Sequence, residues 1–190
     1  MFMPHTVRTT RLLAILFVSG LLCACGGDKP LATVGQVDLQ RYTGTWYEIA
    51  RLPQWFQRGC YDSTATYSAN DDGTLKIVNR CQREGDESRE DVGTARVVPN
   101  TGNAKLKVRF DNWVSKLIPT ITEGNYWIIA LDKDYQTVVI GEPSRKYLWI
   151  LARQPELGDD QYQALLQLAK TKGFPVDQLE RNRDLRPSKQ

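Results

Sequence analysis

Histidine is almost missing from this chain. The single one, His5, lies in the first few residues. Histidine-based catalytic triads, histidine-ligated haem and the common histidine zinc sites are therefore excluded from the rest of the protein, and no other motif calls for a metal or cofactor. A charge imbalance is missing too. The formal charge of +3 falls to +1 once Arg8 and Arg11 are set aside, which gives no support for a nucleic-acid partner. Nor is there an apolar run of the ~20 residues that a membrane-spanning helix needs. The uncharged stretch "LLAILFVSGLL", Leu12 to Leu22, is too short.

That stretch has another use. A basic start, a short apolar run and small residues at its end describe an export signal. It closes on "LCACGG", in which Leu22, Cys23, Ala24 and Cys25 resemble the lipobox of bacterial lipoproteins. The resemblance implies cleavage after residue 24, with lipid attached to Cys25 as the new first residue. Several acyl chains on one cysteine would anchor the protein stably, at roughly 0.8 kcal/mol per buried methylene. By resemblance to lipoprotein sorting in double-membraned bacteria, Gly26 after the cysteine implies passage to the outer membrane, with the domain in the periplasm. Residues 25–37 then read as a lipid-anchored linker with little to bury, residues 38–184 as the folded domain, and residues 185–190 as a polar tail.

Cys60 and Cys81 remain. In an exported chain an even pair suggests a disulfide, which would contribute about 3 kcal/mol by chain entropy. A reactive thiol is the competing reading.

From Trp46 to Arg153 short strands alternate with turn signals. They span 46–53, 60–68, 74–83, 88–98, 104–111, 125–132, 137–141 and 147–153. In the first, Trp46, Glu48, Ala50 and Leu52 would share one face, and Tyr47, Ile49 and Arg51 the other. The charged run Arg83 to Asp91 reads as a solvated loop and strand edge. One helix follows, capped by Asp159 or Asp160 and stopped at Gly173, with Tyr162, Leu165, Leu166 and Ala169 in one stripe. It should pack outside the sheet, with the Tyr47 and Ile49 face as a candidate seat.

Eight consecutive antiparallel strands and one late helix fit an all-β, eight-stranded up-and-down barrel, which leaves no exposed edge. A sandwich is the competing architecture. In the barrel the first and last strands are neighbours. Trp46 and Arg153 then fall at the same end and can stack, a cation–π contact of ~0.5–2 kcal/mol, with Gly44 letting the chain cross beneath. That plug turns the tube into a cup.

These residues carry a family pattern. "GTWYEIAR" resembles the lipocalin G-x-W element, "LDKDY" (Leu131 to Tyr135) its second element, and "LWILAR" supplies the third element's arginine, Arg153. With the lipobox, the chain resembles bacterial outer-membrane lipocalins of the apolipoprotein D-like branch. The second element departs from the usual Thr-Asp-Tyr, and Cys60 and Cys81 do not match the family's disulfides. The resemblance implies a carrier or store of fatty acids or lysophospholipids, and allows a homodimer. It also carries Tyr67, Asn79, Phe110 and Trp149 over to cavity-facing positions. Strand parity places Tyr147 and Leu151 with Trp149. Leu75, Ile77 and Tyr126 complete a lining that is apolar with a few polar groups. Without the resemblance, these same side chains could simply fill the barrel.

The open end should gather Trp55, Phe56, Arg58, Trp113, Lys116, Arg145 and Lys146. Such a rim could admit an acyl chain and hold a phosphate, or rest on a bilayer or a second subunit. The expected function is lipid binding without catalysis. An isomerase using the Cys60 or Cys81 thiol in the cavity is the alternative, and a purely structural tether is a third reading.

Overall fold

A one-residue bulge decides how the first strand is used. The computed structural model describes residues 29–85, 87–111 and 123–187; Cys25, Trp113 and Lys116 lie outside them. Strand β1 (Gly44–Arg51) pairs Tyr47 with Ala152 and Glu48 with Leu151, then skips Ile49, so that Ala50 meets Ile150 and Arg51 meets Trp149. The extra residue reverses the alternation. Trp46, Glu48 and Arg51 end on the inner side, whereas Ile49, Ala50 and Leu52 join the outer apolar cluster. The expected alternation therefore holds only as far as the bulge, and Ala50, Arg51 and Leu52 have all changed faces.

The remaining strands are β2 (Tyr61–Ala69), β3 (Leu75–Gln82), β4 (Ser88–Val97), β5 (Lys105–Phe110), β6 (Gly124–Leu131), β7 (Thr137–Gly141) and β8 (Leu148–Ala152). Each pairs antiparallel with the next, and β1 pairs with both β8 and β2. The barrel is closed, so the sandwich is excluded. The β1–β2 ladder stops at Tyr47 and Thr64. Beyond it a two-residue strand, β9 (Glu180–Arg181), pairs with Ala50 and Arg51 and covers the edge that β2 leaves unpaired.

Two apolar layers result. Inside, Trp46, Leu75, Leu106, Ile128 and Val138 pack the closed end. Outside, the helix α2 (Asp159–Thr171) lays Tyr162 and Ala169 against a cluster containing Ile49, Ile129, Val139, Ile150 and Phe174. Ile49 belongs to the helix seat as expected, but Tyr47 is absent from that cluster. Gly158 is the N-cap, with no side-chain cap bond, and Asp159 and Asp160 occupy the first turn instead, where acidic groups complement the helix dipole.

A four-residue helix, α1 (Leu39–Tyr42), precedes the barrel. Asp38 caps it by accepting from the Gln40 and Arg41 backbone N–H groups at 2.9 and 3.2 Å. The segment before it is not idle. Leu31 and Val37 are buried, and the N–H groups of Val34 and Val37 donate to the carbonyls of Ile128 and Gly102. From Leu31 onward the stretch read as having little to bury packs against the barrel.

Candidate functional site

The three sequence elements converge at the closed end. Trp46 Nε1 donates to the Tyr42 carbonyl at 2.9 Å. The Arg153 guanidinium lies over the indole, 3.9 Å from its ring centroid. It also donates to the carbonyls of Thr45, Arg41 and Thr43 at 2.9, 2.9 and 2.8 Å. Gly44 has φ +95°, and a Cβ there would stand 3.2 Å from Arg153 Nη1, so both backbone and space favour glycine. From the second element, Asp132 Oδ1 accepts the N–H groups of Gln136 and Thr137 at 2.5 and 3.1 Å. The Tyr135 hydroxyl accepts the Asp38 N–H at 2.9 Å.

Above this plug lies a floor of three phenols. Tyr126 Oη is 2.6 Å from Tyr42 Oη and 2.9 Å from Tyr67 Oη. Burial raises all three pKa values, Tyr67 to about 12. The phenols therefore stay neutral at physiological pH and act as hydrogen-bonding groups, not as anions.

A cavity of about 720 Å³ opens above the floor, within the size range of small-molecule sites. Tyr67, Ile77, Asn79, Phe110, Tyr126, Tyr147 and Trp149 all line it, together with Val108, Ile140 and Leu151. Leu75 does not. It is buried in the packed closed end, one inward step below Ile77. Phe110 has its place because Gly93 opposes it; a Cβ on Gly93 would sit 2.8 Å from the Phe110 ring.

One wall holds a buried polar group that the sequence pattern hid. Glu48 accepts from Arg51 Nη1 at 2.5 Å and from Gln57 Nε2 at 2.9 Å, and Gln57 Oε1 accepts from Trp149 Nε1 at 2.9 Å. Glu48 and Arg51 are only 4% and 2% exposed. The bulge at Ile49 creates this pair by turning Arg51 inward, an irregularity that strict alternation cannot show.

The mouth differs most from expectation. Trp55, which is 77% exposed, and Phe56 do line it, and Phe56 packs 5.9 Å from Tyr147. Arg58 is exposed and lines a separate outer cleft with Pro53, Gln54 and Glu180. Arg145 turns away from the cavity, donating to the carbonyls of Lys172 and Lys29 at 2.8 and 2.5 Å, so it caps the end of α2. Lys146 is exposed and does not line the cavity. Among the described residues, the cations that do line it are Arg80 and Arg89, paired with Glu90 at 2.7 Å and Asp91 at 2.8 Å. Arg89 falls in the run read as solvated, whereas Arg80 stands in β3. The missed signal was parity, because Arg89 and Asp91 are in step with the inward Gly93 and Ala95.

Cys60 and Cys81 form a disulfide with Cα atoms 5.4 Å apart. It ties the start of β2 to the end of β3 beside the mouth. With both sulfurs bonded, the cavity-thiol isomerase has no nucleophile.

A barrel plugged at one end and open at the other onto a largely apolar cavity defines a small-molecule-binding protein of the calycin type. The Lipocalin-like domain model matches residues 37–184. The outer membrane lipoprotein Blc of Citrobacter freundii is 36% identical over 177 residues, which cover 91% of this chain and 96% of that protein. Temperature-induced lipocalin-1 of Arabidopsis thaliana is 37% identical over 153 residues, 80% of this chain and 81% of that one. Among solved structures, insecticyanin of the tobacco hornworm Manduca sexta superposes with a TM-score of 0.63 at 18% identity, covering 83% of this chain and 86% of its own; at that identity the likeness speaks for the fold alone. The chain belongs to the lipocalin family.

Proposed function

We propose that this lipocalin is a lipid-anchored protein of the outer membrane that stores or carries fatty acids or lysophospholipids, with the acyl chain in the barrel and no catalysis. The observation that carries the reading is the open cavity of about 720 Å³ with Phe110, Ile140, Trp149 and Leu151 on its wall. Each methylene moved from water into such a wall contributes roughly 0.8 kcal/mol. About 12 of them would give ~10 kcal/mol before ordering costs, against the ~8 kcal/mol that micromolar binding needs. Affinity thus needs no polar contact, and the head group only selects among lipids. Arg80 and Arg89 at the mouth take the phosphate-binding role expected of Arg58, Arg145 and Lys146.

The anchor rests on Cys25. The lipobox spacing supports it, as does similarity over most of the chain to a protein named an outer membrane lipoprotein. Metabolic labelling with an alkynyl palmitate should mark the protein in outer-membrane fractions, and Cys25→Ala should lose the label. An unlabelled wild-type protein in the soluble periplasm contradicts the anchor. Mass spectrometry of lipid co-purified with the native protein tests the cargo. Fatty acid or lysophospholipid near one per barrel is the expected result, and a protein that consistently carries a different class of molecule contradicts it.

A further inference from the structure

The cavity has two unlike sides. On β5, β7 and β8 the lining is Val108, Phe110, Ile140, Trp149 and Leu151, whose one side-chain polar group, Trp149 Nε1, is already given to Gln57. On β2 and β3 it includes Ser63 and Asn79. Ser63 is 4% exposed, and its Oγ, like Asn79 Oδ1, is buried with no hydrogen-bond partner among the described residues. The two stand close, because Asn79 pairs with Ala65 across the ladder and Ser63 is the next inward residue toward the mouth. Nearby carboxylates offer no relief. Glu48 is engaged by Arg51 and Gln57, and Asp91 by Arg89.

The floor adds a donor. Tyr42, Tyr126 and Tyr67 carry three hydroxyl protons but make only two contacts with one another. Each contact uses one proton, so one is spare. Tyr42 is completely buried and does not line the cavity. The arrangement that leaves no sealed O–H unmet has Tyr42 donating to Tyr126. The spare proton then belongs to Tyr67 or Tyr126, both of which face the cavity.

A saturated chain lying in this cup would displace water from Ser63 Oγ, Asn79 Oδ1 and the spare phenolic proton, and return nothing to them. Buried polar groups left unmet in this way discriminate strongly between ligands that differ by one hydroxyl. A hydroxyl fits the set as both donor and acceptor. It can donate to Asn79 Oδ1 and accept from Ser63 or a phenol, while the hydrocarbon on either side of it packs on the apolar wall.

We infer that the cavity selects an acyl chain bearing a hydroxyl along its length over the unsubstituted chain of equal length, with Ser63 and Asn79 as the specificity-determining residues. The inference rests on the reading of the cavity as a lipid site and specifies the lipid class.

The test is displacement of a fluorescent fatty acid from the full-length protein, freed of bound lipid. Stearic acid is compared with monohydroxy derivatives whose hydroxyl lies near, midway along and far from the carboxyl group. At least one derivative should bind about tenfold more tightly than stearic acid, the effect of one well-made hydrogen bond. Asn79→Leu and Ser63→Ala, tested separately, should each bring that ratio toward one. Stearic acid binding as tightly as every derivative overturns the inference and leaves the lipid-binding reading intact. A wild-type preference that survives both substitutions overturns the assignment to these residues. If neither stearic acid nor any derivative displaces the probe, both readings fall. The wild-type ratio is decisive even if one variant fails to fold.

Discussion

Arg51 Nη1 donates to Glu48 Oε1 at 2.5 Å inside the barrel wall, and both side chains are almost fully buried. Removing Arg51 leaves the Glu48 carboxylate with only the neutral Gln57 amide against it, in a place water hardly reaches. Arg51→Met should therefore cost about 3–5 kcal/mol in urea unfolding. The double variant Glu48→Gln with Arg51→Met should recover a substantial part of that loss, because no lone charge remains. Additive losses in the double variant would contradict a coupled buried pair.

Arg153 closes the cup through stacking on Trp46 and donation to several backbone carbonyls. Arg153→Ala should destabilise the protein by about 2–4 kcal/mol, from the lost cation–π contact and the unmet carbonyls. Arg153→Lys should rescue little, because one ammonium cannot serve the whole set. Comparable unfolding midpoints for wild type and Arg153→Lys would argue against the fork geometry.

The phenols of the floor set an alkaline limit. Tyr67 has its pKa raised by burial from 10.0 to about 12, and Tyr42 and Tyr126 are raised by the same cause. The folded state then holds these protons more tightly than the unfolded chain. Their contribution to stability is complete below pH 10, and falls as pH rises from about 10 through 12. Ultraviolet titration should show late-ionising tyrosines whose ionisation coincides with unfolding. In a Tyr67→Phe, Tyr126→Phe double variant, stability should decline less steeply over the same interval.

The Cys60–Cys81 bridge spans a sequence separation of 21 residues. Reduction should lower stability by about 3 kcal/mol on the chain-entropy estimate. Chemical unfolding with and without reductant reads the difference directly. Thiol counting on the oxidised, unfolded protein should find neither Cys60 nor Cys81 free.

The regular parts of this molecule were legible from residue pattern. Strand and turn signals located all eight barrel strands within a few residues, and the Gly44, Trp46 and Arg153 triplet located the plug. What escaped was irregular. The bulge at Ile49 leaves no mark in composition, yet it puts Arg51 inside with Glu48. Arg145 looked like a mouth cation because it sits in a turn beside Tyr147, but the chain there passes close to the end of α2, where the Lys172 carbonyl claims its guanidinium. Arg89 and Asp91 looked solvated because they belong to a charged run, although their parity is inward. For Arg51 and Arg145 the decision lay in structure that local sequence does not show, whereas for Arg89 and Asp91 the alternation of β4 already held the answer.

The most direct test of a lipid-binding cup is titration of a fluorescent fatty acid into wild-type protein and into Ala65→Trp. Ala65 lines the cavity, so an indole there fills space a chain would occupy. Wild type should show saturable binding at about micromolar concentration or tighter, and the filled variant, still folded by circular dichroism, should lose most of it. No saturable binding by folded, lipid-free wild type, or equal binding by the filled variant, would contradict a cargo held inside the barrel.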